Sequence, residues 1–431
     1  MKILFFTHKH ISHLLPIDDL ITNLKKNHEL FCIGYNERED YFRNKGIEFF
    51  SYPDEKFDKL NQEYNYLYSK ELEGIQENNV DKWYRFYLEK NALMMHYITE
   101  NGIQELTNIV KKINPDVVFH DVVDLYAPII CYRLRIRRFD YITNPLYSEK
   151  FFNDNPEELY SILTLKYNAD KQFLKKYIRN YWDIQKKVFN YVEKRYGLIA
   201  VPPMNQFEMT GEKNIIFNCK FIQPQCFDND FIIVPPHRNQ FRIETEIDKK
   251  LEDFIIRSNR KKIIYISHGS FLTMTIKYYE RIFDDLKALD LNYIISCRTN
   301  LNELKKLIHD KKMENRVYCD TFLPQKFVLS KADLFITSGG FNSILESINF
   351  KVPMIIDPIS AEQRMNGYII DKLKIGKSLC LKNSQKSIRE NVEFLLDNNI
   401  YKNNIQTFNC ILKKEINERK NILDSILKYI E

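Results

Sequence analysis

At 431 residues the chain is too long for one ordinary hydrophobic core, and two α/β domains are the natural expectation. With 44% hydrophobic residues it is globular, and a formal charge of +6 on 64 basic and 58 acidic side chains, with no basic arm, argues against a nucleic-acid partner. The eight cysteines form no C-x-x-C pair and most sit in apolar runs, which fits a reduced cytosolic protein with no zinc site.

The opening run M-K-I-L-F-F is too short for a signal peptide, and no stretch is long and apolar enough to span a bilayer, so a soluble, cytoplasmic chain is expected. Ile3 to Phe6 reads as a short buried strand, followed by the loop T-H-K-H-I-S-H-L-L-P. Pro16 suits the start of a helix, on which Ile17, Leu20, Ile21 and Leu24 recur at helical spacing. Leu30 to Tyr35 is strand-like, and the short helix E-D-Y-F-R-N-K-G leads to the strand I-E-F-F-S-Y. This alternation is the pattern of a doubly wound parallel sheet.

Residues 55–112 read mostly as helix. Asp116 to Phe119 is a strand ending at His120 and Asp121, and an apolar helix containing Pro128 follows. Residues 156–196 are basic, aromatic and helical in pattern. The first domain closes at F-I-I-V-P-P, residues 231–236, and the charged stretch 237–260 is the expected linker. The pattern then restarts, with strands at Lys262 to Ser267, Tyr293 to Cys297, Arg316 to Cys319, Leu334 to Thr337 and Pro353 to Asp357. Residues 383–431 are helical and polar. The expected layout is a first domain over 1–236, a linker over 237–260 and a second domain over 261–431, with the last helix a candidate to pack back on the first domain.

The chain has only eleven glycines, yet Gly339 and Gly340 stand together directly after an apolar strand. The segment S-G-G-F-N-S, residues 338–343, is therefore a strand-to-helix turn. Glycine lets another group approach the backbone closely. A helix start presents unpaired N–H groups and partial positive charge, so phosphate binds there readily. Asn342 and Ser343 add donors. A tight helix cap would use the same residues, and spacing alone does not separate the two readings.

The surroundings extend the pattern. F-L-P-Q (322–325) and K-A-D-L-F-I-T lie upstream, with V-P-M-I-I-D-P and A-E-Q-R-M-N-G downstream. This span resembles the donor-binding signature of UDP-dependent glycosyltransferases of the GT-B fold, which include the plant and animal UDP-glycosyltransferases and the bacterial macrolide glycosyltransferases. Y-I-S-H-G-S (265–270) is similar to the serine-containing turn that opens their second domain, and S-H-L-L-P (12–16) to their G-H-x-x-P turn. N-I-I-F-N-C-K-F-I-Q-P-Q and F-I-I-V-P-P are similar to the bacterial branch just before its linker. The resemblance covers nearly the whole chain; it is strong over 318–367 and thin over 55–110 and 150–205.

The resemblance implies two Rossmann-like doubly wound α/β domains facing a central cleft, the first for the acceptor and the second for the nucleotide sugar. Residue by residue, it implies that Phe322 stacks on the uracil ring, that Gln325 sits where the base meets the backbone and that Glu346 binds the ribose hydroxyls. It puts Ser270, Ser338, Gly339, Gly340, Asn342 and Ser343 at the diphosphate, and Glu362 and Gln363 at the sugar hydroxyls. A flat base suits an aromatic face, and vicinal hydroxyls suit a carboxylate acceptor. His13 matches the family's general base and Asp121 the carboxylate that orients it. His8 and His10 are rival bases on the same loop. Ser338 departs from the family, which usually has His there; serine keeps a donor but no positive charge, and His268 is a candidate to reach the same phosphate.

The implied function is inverting transfer of a hexose, glucose from UDP-glucose foremost, to a hydroxyl of a small apolar or aromatic acceptor, either a natural product or a lipid. UDP-sugar is then a co-substrate, with no tightly bound cofactor and no metal. A catalytically silent partner protein and a sugar-nucleotide epimerase on the same fold are the alternatives. The basic stretch 175–196 is a solvated helix face or a peripheral contact with an anionic membrane.

Overall fold

The computed structural model describes residues 1–53, 102–124, 126–146, 151, 154–155, 209, 211–223, 231–258, 261–269, 274–359, 361–379 and 387–430. The helical readings over 55–101 and 156–196, and Ser270, lie outside the described residues. The chain divides into two compact units, one of Met1–Thr164, Asn168–Pro236 and Glu418–Glu431, the other of Leu165–Tyr167 and His237–Asn417.

The first unit runs β1 (Lys2–Phe6), α1 (Ile11–Leu14), α2 (Asp18–Leu24), β2 (Glu29–Gly34), α3 (Glu39–Arg43), β3 (Glu48–Ser51), α4 (Ile103–Ile113), β4 (Val117–Asp121), α5 (Tyr126–Leu134), β5 (Arg137–Ile142), β6 (Lys213–Ile216) and β7 (Phe231–Ile233). Its seven strands pair in the order β3-β2-β1-β4-β5-β6-β7, all parallel. Strands such as β1 and β4 are buried on both faces, which is why they read as unbroken apolar runs. Ile17, Leu20, Ile21 and Leu24 bury against one face of the sheet, and Ile103, Leu106, Val110 and Ile113 against the other.

Two local features differ from the sequence reading. Helix starts at Ile11, before Pro16, and Pro16 falls in a 3₁₀ turn, Leu15–Ile17, between α1 and α2. Proline has no N–H and clashes with the preceding turn, so the α ladder breaks there and resumes at Asp18. His13 thus lies on a short helix and not in an open loop. The second feature is β5, which the sequence reading passes over because Arg138 and Asp140 interrupt its apolar residues.

Those two charges are neutralised inside the fold. Arg138 donates from Nε and Nη2 to the two Asp140 oxygens, at 2.6 and 3.0 Å. His120 Nδ1 lies 2.8 Å from Asp140 Oδ1, and His120 Nε2 lies 2.8 Å from the Asp124 carbonyl oxygen. Both partners can only accept, so both ring nitrogens donate and His120 is an imidazolium. Burial works against that charge, yet the carboxylates of Asp140 and Asp124 raise the His120 pKa. Burial likewise opposes ionisation of Asp140, but Arg138 and His120 hold its carboxyl well below the usual range. Asp124 in turn accepts from the Tyr52 hydroxyl (2.7 Å) and the Ala127 N–H (2.9 Å). The cluster therefore ties down the turn that leaves β4 at Asp121.

The second unit contains α6 (Lys249–Arg257), β8 (Ile263–Ser267), α7 (Ile276–Leu286), β9 (Asn292–Ser296), α8 (Leu301–Asp310), β10 (Val317–Asp320), α9 (Gln325–Leu329), β11 (Leu334–Thr337), α10 (Phe341–Phe350), β12 (Met354–Ile356), α11 (Ala361–Lys372), β13 (Gly376–Ser378) and α12 (Ile388–Asp397). Its six strands pair in the order β10-β9-β8-β11-β12-β13, again all parallel. Residues 237–260, expected as a linker, include α6, capped by Asp248 and burying Leu251 and Phe254. The final helix, α13 (Asn399–Ile430), belongs to the second unit through Asn417 and to the first from Glu418 onward. In the first unit its Leu423, Ile426 and Ile430 join the core. Buried Arg419 donates to Asp19 Oδ2 (2.8 Å), the Pro16 carbonyl (2.6 Å) and the Pro235 carbonyl, fixing the turn between α1 and α2. No helix among the described residues is long and apolar enough to cross a membrane.

Asp140→Asn removes the countercharge shared by buried Arg138 and His120. A loss of about 3–5 kcal/mol of stability is expected, measured by chemical denaturation of the full chain; an unchanged transition midpoint would contradict the charged state assigned to His120.

Candidate active site

In the first unit, His13 on α1 and Asp121 at the end of β4 meet, with Nδ1 2.8 Å from Oδ2. Asp121 is fully buried and its other oxygen accepts from the Val123 N–H at 3.1 Å. The carboxylate accepts from Nδ1–H, which holds the imidazole in the tautomer whose Nε2 carries the lone pair. The His8 ring lies tilted against the same ring, with centroids 4.6 Å apart, and its own Nδ1 accepts from the His10 backbone N–H at 3.3 Å. Burial, and then the charge that His13 can carry, pulls the His8 pKa well below its usual value. The same causes pull His10 down to about 4. Both rivals are therefore weak bases at neutral pH, and of the three rings His13 is the one paired with a buried carboxylate.

In the second unit, the S-G-G-F-N-S segment leaves β11 and opens α10. Gly339 has φ +87°, and a Cβ there would lie 2.6 Å from Ile356 Cγ2, so no other residue fits. A Cβ on Gly340 would meet nothing within 4 Å. Gly340 is the N-cap of α10, and no side chain caps the helix. No side chain takes its first N–H groups, which is the arrangement that receives an anion. Asn342 Oδ1 accepts from Gln240 Nε2 at 3.1 Å.

Ser338 is buried and its hydroxyl donates to the His268 carbonyl at 3.1 Å, so its proton is committed to a backbone acceptor. His268 does not supply the missing positive charge. Its Nε2 is bonded to the Tyr278 hydroxyl at 2.7 Å, and burial, with Arg281 adding to it, pulls its pKa down to about 3.

Gln325, the first residue of α9, organises the next group. Its Nε2 donates to Glu346 Oε2 (2.7 Å) and Ser343 Oγ (3.1 Å), and its Oε1 accepts from the Tyr265 hydroxyl (3.3 Å). Burial pushes the Glu346 carboxyl up to about 7, while the Gln325 bond and Lys326 pull it back. Three residues before Gln325, the Phe322 ring is 75% exposed. At the start of α11, Gln363 Oε1 accepts from the Ile359 N–H at 2.8 Å, and Glu362 Oε1 lies 3.4 Å from Asn366 Nδ2. Among the described residues no group of three His, Cys, Asp or Glu could hold a metal ion.

The family model described as "UDP-glucoronosyl and UDP-glucosyl transferase" matches residues 2–419. The chain belongs to this family. The uncharacterized UDP-glucosyltransferase YdhE of Bacillus subtilis (strain 168) is 25% identical over 247 residues, 53% of this chain, and that match spans 57% of the relative, less than two thirds of its length. NDP-glycosyltransferase YjiC of the same organism is 25% identical over 306 residues, 69% of each chain. Among solved structures, the glycotransferase of kitacinnamycin matches with a TM-score of 0.67 at 17% identity, over 100% of this chain and 98% of that one. The fold is accordingly the GT-B glycosyltransferase fold, in a family of transferase enzymes.

Set against this family, the structure joins His13 with Asp121 and Gln325 with Ser343 and Glu346, and Asn366 lies between Gly339 and Glu362. Ser270 lies outside the described residues. The sequence reading missed Gln240, Tyr265 and Asn366. Asn366 follows Glu362 by four residues, a helical spacing that could have drawn attention to it; Gln240 reaches Asn342 from 102 residues away and carries no local signal.

Glu346 should titrate near pH 7, well above an ordinary glutamate. Gln325→Leu, which removes a bond that favours the carboxylate, should raise that midpoint further. Carboxyl carbon NMR, with Glu346→Gln to assign the signal, checks both; a midpoint near 4 would show that burial does not govern this group.

Proposed function

We propose that this member of the family is an inverting hexosyltransferase that moves glucose from UDP-glucose to a hydroxyl of a small apolar or aromatic acceptor. The observation that carries the reading is the uncapped, open start of α10 beside the Gln325–Glu346 pair, with Phe322 held in solvent next to them. A diphosphate suits the helix start, a ribose suits the carboxylate, and a flat base suits an exposed ring. Glu362 and Gln363 then face the sugar hydroxyls, the second unit takes the nucleotide sugar and the first unit takes the acceptor.

His13 takes the acceptor proton at Nε2, the ring nitrogen that Asp121 does not hold. The acceptor oxygen forms a bond to the anomeric carbon from the face opposite UDP. The bond from that carbon to the β-phosphate oxygen breaks, and UDP leaves with the electron pair. Asp121 keeps the ring oriented and stabilises the imidazolium that forms. With Ser338 directed to His268, charge on the leaving UDP is met chiefly by the backbone N–H groups and dipole of α10.

Screening acceptors with UDP-glucose, read by mass spectrometry for hexose addition, tests the reading. Incubation with UDP-glucose alone separates the rivals: an epimerase yields a new sugar nucleotide, and a silent partner protein leaves the donor intact.

Phe322→Ala should weaken UDP binding by about 1–3 kcal/mol in calorimetry; unchanged affinity would place the base elsewhere. His13→Ala should lower transfer to an aliphatic alcohol by about 10²–10⁴-fold while leaving UDP affinity intact. Near-normal turnover in that variant would move the base to another group.

A further inference from the structure

Asn366 sits on α11 four residues beyond Glu362 and is almost wholly buried. Its amide nitrogen donates to the Gly339 carbonyl at 2.9 Å and reaches Glu362 Oε1 at 3.4 Å. Its own oxygen is buried and accepts from no group among the described residues. Leaving a buried acceptor unpaired costs free energy, so the orientation of this amide is set by what its nitrogen does.

A trans peptide plane carries its C=O and N–H in opposite directions. The Gly339 carbonyl is drawn toward α11, so the N–H of Gly340, in the same plane, points away from α11. It does so at a residue whose Cβ position is open. Between two glycines a peptide plane has unusual freedom to rotate, and side-chain sterics do little to choose its orientation. The bond from Asn366 makes that choice.

We propose that Asn366 is the positioning residue of the donor site: it orients the Gly339–Gly340 peptide so that the Gly340 N–H is presented as a donor to the diphosphate. Through Glu362 the same amide links the phosphate turn to the sugar end of the site. This rests on reading the second unit as the UDP-sugar site. A group that binds only the base or the ribose does not depend on Asn366.

The test compares UDP and uridine binding to the full chain, by calorimetry and saturation-transfer NMR, in the wild type, Asn366→Leu and Asn366→Ala. Neither replacement can donate to the Gly339 carbonyl, and the alanine variant covers the case in which the branched leucine side chain prevents folding. UDP affinity should fall about tenfold or more in both variants while uridine affinity stays within about twofold of the wild type. UDP affinity equal to the wild type overturns the proposal. Equal losses for UDP and uridine overturn it too, because they mark a residue that holds the unit together and does not aim the peptide. A wild-type chain that binds uridine and UDP equally well removes the diphosphate site itself, and this inference with it.

Discussion

Parallel strand pairing is the constraint on which the rest of the structure depends. Every pairing in both sheets is parallel, so in each sheet all C-terminal strand ends emerge at one edge. Where the strand order reverses, neighbouring strands send their following loops to opposite faces and a crevice opens between them. In the first unit that place is between β1 and β4, and there His13 and Asp121, 108 residues apart in the chain, stand 2.8 Å apart. In the second unit it is between β8 and β11. The Ser338 hydroxyl rests on the His268 carbonyl just beyond β8, and the glycine pair follows it.

Within those crevices, the partner of each polar group decides its chemistry more than its residue type does. Three histidines stand close together between β1 and the end of α1, yet two are left neutral by burial and one is held by a buried carboxylate. Ser338 has a hydroxyl, but its proton is already committed to a backbone carbonyl. Gln325 shows the opposite case. Both ends of one amide are used, and the bond from its nitrogen favours the ionised form of Glu346, which burial would otherwise suppress further.

Charges that burial would penalise are kept because each has a partner, and the pairs hold the site's framework. Arg138, Asp140, His120 and Asp124 form a connected set beneath the turn that carries Asp121. Arg419, near the end of the chain, holds the carbonyl of Pro16 three residues beyond His13. Removing one member of such a set leaves the others uncompensated in a medium of low dielectric, so these contacts specify local geometry at least as much as they add stability.

By itself the sequence determined the alternation of strands and helices, since buried parallel strands are apolar runs and helices repeat at their own spacing. Ile3 to Phe6, Leu334 to Thr337 and the glycine turn after it are legible on those grounds. Strand β5 was not, because Arg138 and Asp140 look like surface residues until His120 is beside them. Nor was β13, whose three residues G-K-S carry no pattern. Pairing His13 with Asp121 was legible only through resemblance to a family, because spacing says nothing about contacts across a crossover. Only the tertiary structure decided that Ser338 donates to the His268 carbonyl, that Gln325 and Glu346 are bonded and that Asn366 grips the Gly339 carbonyl. The reason is physical: apolar burial depends on composition along one segment, whereas a hydrogen bond depends on the direction of two groups, and direction exists only once the strands are laid side by side.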